Sequence, residues 1–294
     1  MGRAARGRLA AGAAIRLHRG RKWWRERARR RGLCPPEGRT IAARVRRLTR
    51  GVGFDVHRLR PPGLVRLTKS TLLFELDDQF QGIVAAGAAR AGAGPSGDGE
   101  GSVRIIQRLY NLAQMVDFTA GVDGLVAECG CYRGLSSYVL GRYLAAETPS
   151  FTGACLHVFD SFEGLSPLGD HDTKRDPRVQ AGMFAASLDV VRHTLAEFPD
   201  IAYHPGWIPE SLVGAPAGPY RLVHVDLDLH DPTRAALEFF HPRLAVGGVL
   251  VCDDFGSVRW PGARTAVEGF CSASGARLLR LSSGQALILG PDSP

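Results

Sequence analysis

The amino-acid sequence predicts an α/β domain: a mostly parallel seven-stranded sheet with helices on both faces, closed by a C-terminal antiparallel hairpin. Three observations carry that prediction. From Leu125 onward, short apolar runs alternate with stretches of helical spacing. The runs are largely apolar throughout, as strands covered on both faces by helices require. The last two runs are separated only by the turn residues Ser282, Ser283 and Gly284, which favours a hairpin over another helical crossover.

Taken in order, residues 70–83 are expected to form a short helix, and residues 88–102, rich in Gly, Ala and Ser, a flexible linker. Val103, Ile106, Leu109, Tyr110 and Met115 fall near helical spacing and predict an amphipathic helix leading into the main domain. Strands are expected at 125–128, 155–160, 201–204, 222–226 and 249–252. Helices are expected at 134–146, 184–198, 232–240 and 263–274, and the hairpin at 277–281 and 285–289. A parallel sheet ending in such a hairpin is the pattern of the Rossmann-like, class I methyltransferases. The domain division that follows is a basic, flexible arm over 1–66, a short helix and linker over 67–102, and the main α/β domain over 103–294.

Composition sets the outer bounds. With 45% hydrophobic residues in 294, the chain can bury a core, which excludes wholesale disorder. The longest apolar runs, such as 246–252, are far short of the ~20 residues that cross a membrane. Six Cys without a C-x-x-C pair fit free thiols in a reduced, cytoplasmic setting rather than a disulfide scaffold. The net charge of +8 is unevenly placed: residues 1–60 carry 19 Lys and Arg against Glu26, Glu37 and Asp55, and the remaining 234 residues are net acidic. The arm, with Trp23 and Trp24 among its arginines, has the character of a solvated tail or of a docking element for an anionic surface or nucleic acid. The scarcity of acidic residues is compatible with a transit peptide, although Ser is absent from the first 31 residues, and the short apolar stretch followed at once by Arg16 argues against a secretory signal. A homo-oligomer is compatible with the sequence.

In such sheets ligands bind at the carboxyl ends of the strands, where strand order reverses, so the residues there carry the functional reading. The first strand ends in Glu128-Cys-Gly130-Cys-Tyr132-Arg133-Gly134-Leu-Ser136. The E-x-G-x-x-x-G spacing differs from the G-x-G-x-x-G of nicotinamide enzymes. Its two glycines allow a sharp turn and close approach to a ligand, and its acid suits a cation such as the amino and sulfonium groups of S-adenosylmethionine. Tyr132, Arg133 and Ser136 belong to the same candidate cofactor site. The second strand ends in Asp160-Ser161, where a carboxylate can accept from ribose hydroxyls or cap a turn. The third ends in Gly206-Trp207, the indole being placed to flank an adenine or to pack in the core.

The fourth strand runs into Asp226-Leu-Asp228-Leu-His230-Asp231-Pro232, and the fifth into Asp253-Asp254. Asp226 and Asp228 share a side by the period of two. Asp231 before Pro232 is expected to cap the following helix. Four carboxylates at neighbouring strand ends repel one another unless a cation compensates, and an all-oxygen set suits Mg²⁺, Mn²⁺ or Ca²⁺. Cys129 and Cys131 lack metal-ligand spacing and are assigned to packing. His157 and His224, inside strands, are assigned to the core.

The segments VAECGCYRG, HVFDSFEGL, FAASLDVVRHTL, HPGWIPESL, HVDLDLHDPTRAALEFFHPRLAVGGVLVCDDFG and PGARTAVEGF follow one another over residues 111–290. In this order the chain resembles the macrocin O-methyltransferase family, S-adenosylmethionine-dependent enzymes that tailor antibiotic sugars. The resemblance implies a divalent-metal-dependent transfer of a methyl group to a hydroxyl, often on a sugar, of a small molecule. It implies that Asp226, Asp253 and Asp254 hold Mg²⁺ or Mn²⁺ and that Asp228 is the general base. It further implies that Glu128, Gly130 and Gly134 line the methionine end of the cofactor, that Asp160 meets the ribose, and that Ser187 and its helix lie near a lid. Where the family usually has Tyr, this chain has His230, whose imidazole can also accept a proton; both Asp228 and His230 are therefore candidate bases.

Overall fold

A computed structural model describes residues 55–59, 64–68, 73–95, 100–172 and 179–290. The arginine-rich segment and the docking role expected of it lie outside the described residues. The chain divides into two compact units, Met1–Thr71 and Leu72–Pro294. In the first, Asp55–Leu59 (β1) pairs antiparallel with Leu64–Thr68 (β2), Asp55 facing Thr68. The sequence reading placed only flexible chain here. The high density of arginine masked two short strands around the Pro61-Pro62-Gly63 turn signal.

The second unit opens with Asp78–Ala91 (α1). The Asp77 carboxylate accepts the Phe80 N–H at its start, and Gly92, at φ 59°, terminates it in the left-handed conformation. α1 runs well past the expected residue 83 because the stretch read as a linker is alanine-rich at its beginning, and Ala is the best helix former. Glu100–Phe118 (α2) follows, so the described linker shrinks to a few residues after Gly92.

The strands are Leu125–Cys129 (β3), Leu156–Asp160 (β4), Ala202–Pro205 (β5), Tyr220–Val225 (β6), Leu244–Cys252 (β7), Leu278–Arg280 (β8) and Ala286–Leu289 (β9). Between them lie Leu135–Glu147 (α3), Leu188–Thr194 (α4), His230–Phe240 (α5) and Pro261–Ser274 (α6). The sheet order is β5-β4-β3-β6-β7-β9-β8. β3 to β7 are parallel, and β9 runs antiparallel to both β7 and β8. α4 is only seven residues, shorter than expected, because Phe184 takes a left-handed φ of 62° and Ser187 is extended, so the helix cannot start before Leu188. α5 begins at His230 rather than after Asp231, which puts Asp231 inside the first turn instead of at the cap.

Strand alternation divides the core between the two faces. Val126, Leu222 and Val251 face α2 and α3, whereas Ala127, Val223 and Leu250 face α5 and α6. At the carboxyl end the α2-facing side changes from apolar to polar. By the same period of two, Glu128 follows Val126, His224 and Asp226 follow Leu222, and Asp253 follows Val251. The strand order reverses between β3 and β6, directly beside these groups.

Candidate active site

A cavity of about 500 Å³ opens at this reversal. One wall is the turn after β3. Gly130 has φ 86°, and a Cβ there would lie 2.0 Å from the Asp226 carbonyl oxygen, so only glycine lets β3 and β6 leave the sheet side by side. Gly130, Tyr132, Arg133 and Ser136 line the cavity, and so do Asp160, Ser161, Gly206 and Trp207. The Trp207 indole donates to the Gly164 carbonyl at 2.9 Å, and the Ser161 hydroxyl donates to the same oxygen at 2.8 Å. The Arg133 Nε donates to the Ala91 carbonyl, tying the turn to the end of α1.

Two expected cofactor residues stand elsewhere. Glu128 is completely buried and does not line the cavity. Its carboxylate accepts from the Ser137 hydroxyl and meets His224 Nδ1 at 2.9 Å. Its carboxylate is therefore engaged by partners inside the protein. Gly134 caps α3 at φ 86° and leaves room for Val191 and Thr194, a packing role. Asp160 does reach the cavity, but three backbone N–H groups already donate to it: Cys131 at 2.8 Å and Tyr132 at 3.2 Å to Oδ2, and Phe162 at 2.7 Å to Oδ1. A carboxylate offers about four acceptor positions, which leaves one for a ligand.

A second wall, reached from the ends of β6 and β7, carries Asp226, Asp228, Asp253 and Asp254, all lining the cavity. His224, Asp226 and Asp253 place donor atoms within 4.8 Å of one another, and so do Asp226, Asp228 and Asp254. Burial, with the charges of Asp254 and Asp253, pushes the Asp226 carboxyl well above its usual range. Burial and the charges of Asp254 and Asp226 do the same to Asp228. Burial and the charge of Asp253 raise Asp254. Asp253 goes the other way: burial opposes ionisation, yet the hydrogen bond and charge of His224, with Arg108 and Gln285, hold it below the usual range. His224 in turn loses proton affinity to burial and regains more from Asp253 and Glu128, ending well above an ordinary imidazole. Asp228 sits at φ 61°, unusual for a non-glycine residue, and its N–H donates to Asp254 Oδ2 at 3.1 Å.

His230, the second candidate base, does not line the cavity. Its ring packs on His171 at 4.1 Å, its Nδ1 meets Asp231 Oδ1 at 2.8 Å, and its backbone N–H donates to Asp172. Gly262 lets α6 press against it, so the imidazole is held within the protein. Of the two, the structure brings only Asp228 to the site. Three site residues went unread. His224 was assigned to the core, although its place two residues before Asp226 puts it on the same face. Arg108 on α2 lies 2.9 Å from Asp253 Oδ2 and 3.7 Å from Asp254 Oδ1, and Gln285 Nε2 donates to Asp253 Oδ1 at 2.6 Å. Neither Arg108 nor Gln285 carries a local signal. Cys129 and Cys131 are buried among core residues, where burial pushes both thiols well up.

A parallel sheet reversing between β3 and β6, a glycine turn beside a cavity, and a terminal antiparallel strand pair together define a class I, Rossmann-like methyltransferase fold. The macrocin-O-methyltransferase (TylF) family model matches residues 101–277, and the chain belongs to that family. It is 34% identical over 160 residues to the 8-demethyl-8-(2,3-dimethoxy-alpha-L-rhamnosyl)-tetracenomycin-C 4'-O-methyltransferase of Streptomyces olivaceus; this match spans 51% of the chain and 60% of that protein, less than two thirds of its length. To the mycinamicin III 3''-O-methyltransferase of Micromonospora griseorubida it is 24% identical over 209 residues, 65% of this chain and 81% of the relative. Among solved structures, the O-methyltransferase NovP has a TM-score of 0.60 at 22% identity, over 74% of this chain and 99% of its own. A calicheamicin methyltransferase has a TM-score of 0.56 at 21% identity, over 73% and 94%. These two likenesses establish the fold. Among the described residues no helix is long and apolar enough to cross a membrane.

Proposed function

We propose that the chain methylates a hydroxyl of a sugar carried by a small natural product, using S-adenosylmethionine and a divalent ion, Mg²⁺ or Mn²⁺. The observation that carries this reading is the set of carboxylates Asp226, Asp228, Asp253 and Asp254 lining one cavity together with the glycine turn. The donor set fits such an ion: it is all oxygen apart from His224, it is crowded with like charge, and three of its carboxyls are raised by that crowding and burial. Asp226, Asp253 and Asp254 would hold the ion. When bound, it supplies the Lewis acidity that makes an alcohol a competent nucleophile near neutral pH.

The chain's own residues do the rest. Gly130 removes the side chain that would separate the two walls. Asp160 keeps one acceptor position for a ribose hydroxyl, and Trp207 offers its indole to the cavity. Asp228 takes the acceptor's proton at its carboxylate, where a raised proton affinity suits a base. Tyr132, Phe184 and Trp260 form an edge-to-face aromatic series along the cavity that helps to exclude water. Positioning of acceptor oxygen and methyl group accounts for much of the expected rate.

The test is turnover of S-adenosylmethionine by the purified chain against a panel of glycosides and phenols, with Mg²⁺ or with excess EDTA. Turnover on a glycoside that EDTA abolishes and Mg²⁺ restores is the expected result. Full activity in EDTA would remove the ion from the reading, and methylation of phenols alone would remove the sugar.

A further inference from the structure

We infer that Arg108 is a resident counter-cation of the carboxylate wall and that it sets the affinity of that wall for the divalent ion, an inference that rests on the metal reading above. Arg108 comes from α2, far from the aspartates in sequence, on the turn that also packs Leu109 and Leu112 into the core. The helix is locked in register there. Asn111 Nδ2 donates to Ser283 Oγ at 3.0 Å and to Gln285 Oε1 at 2.9 Å. Gln285 Nε2 donates back to the Arg108 carbonyl at 3.2 Å and onward to Asp253 Oδ1 at 2.6 Å. The hairpin turn therefore holds both the helix that carries the guanidinium and the carboxylate that receives it.

The Arg108 side chain is 17% exposed, and the residue lines the cavity. Its Nη1 bonds Asp253 Oδ2 at 2.9 Å and faces Asp254 Oδ1 at 3.7 Å. Its Nε is buried with no hydrogen-bond partner among the described residues, so the two aspartates are what hold the head group. A guanidinium does not lose its proton in a protein, so this charge is permanent. It has two opposed consequences. Without an ion it offsets the repulsion between Asp253 and Asp254 and keeps both at the cavity. With an ion it places a fixed positive charge beside a second, mobile one on the same carboxylates. Even at an effective dielectric of about 20, unit charges a few ångströms apart interact by several kcal/mol, so this repulsion outweighs the modest gain from holding the ligands in place.

The experiment is calorimetric titration of Mn²⁺ into the full-length protein and into R108M, R108Q and R108K, with free Mn²⁺ followed in parallel by electron paramagnetic resonance. Both neutral variants should bind Mn²⁺ about tenfold or more tightly than the parent, and R108K, which keeps the charge, should stay within about threefold of it. Ion-induced gain in melting temperature should be larger in R108M and R108Q than in the parent, and this reports on whichever neutral variant folds more fully. Unchanged or weaker binding in the neutral variants would overturn the inference, and so would equal tightening in R108K, which would make the effect one of packing. Binding of Mn²⁺ by none of the four proteins would overturn the metal reading and this inference with it.

Discussion

The two walls of the cavity treat their carboxylates in opposite ways. On the side of the glycine turn, the protein supplies the donors itself: three backbone N–H groups on Asp160, Ser137 and His224 on Glu128. On the other side the shortest positive contacts converge on one residue. Arg108 and His224 both meet Asp253, Arg108 reaches Asp254 at the longer distance of 3.7 Å, and burial and mutual repulsion still raise Asp226, Asp228 and Asp254. The first wall is largely satisfied by the protein's own donors, Asp160 keeping one acceptor position, whereas the second lacks counter-charge. Under the proposed function, the difference separates the side that would meet a hydrogen-bonding ribose from the side that would receive a cation.

The sharpest way to break this contrast is Asp226→Asn, since Asp226 belongs to both donor groups. Activity should fall about 10²–10³-fold, the scale of removing one electrostatic stabiliser, with no loss of melting temperature because a repelling charge is gone. A loss below tenfold in initial-rate assays would take Asp226 out of the reaction. Next in size is Gly130→Ala, which forces a methyl group against the Asp226 carbonyl and strains a left-handed residue. Urea unfolding should show about 3 kcal/mol of destabilisation, and an unchanged midpoint would mean that the two walls can separate cheaply.

Asp160→Ala sharpens the comparison by testing independence. It should weaken S-adenosylmethionine binding by about 1–3 kcal/mol in calorimetry while leaving Mn²⁺ binding as it was. An equal loss of metal binding would show the walls to be one unit. The smallest effect concerns pH. Asp226, Asp228 and Asp254 hold protons more tightly than ordinary carboxyls, so an ion must displace protons to bind. Mn²⁺ affinity should therefore rise with pH above the ordinary carboxylate range, roughly a few-fold per unit, and level off once the carboxyls are ionised. Titrations in buffers of different ionisation enthalpy should show proton release, and none would mean that the wall is already ionised.

Much of the fold was legible because its signals are local. Each buried strand is an apolar run, each helix has its own spacing, and the hairpin has its own turn residues. The misreadings are also local in cause. Ala88, Ala89 and Ala91 fall in the stretch whose glycines suggest a linker, although they extend α1. The left-handed Phe184 cut α4 short, and no pattern of apolar residues announces a φ angle. In the candidate site, residues at strand ends were placed well because parallel strands bring their carboxyl ends to one level. Glu128 and His230 were placed less well, because whether a polar side chain faces a cavity or the interior depends on what packs over it.

By itself the sequence determined the class of sheet, the glycine turn and the convergence of four aspartates, since strand period and strand direction follow from neighbouring residues. Only the tertiary structure decided how those aspartates are shared out. Asp253 takes the shorter contact of an arginine from α2 and the hydrogen bond of a glutamine beside the hairpin turn, while Asp226, Asp228 and Asp254 keep a raised proton affinity. The physical reason is range: a buried carboxylate's proton affinity is set by charges and donors within a few ångströms, and here those groups come from elements far apart in the chain.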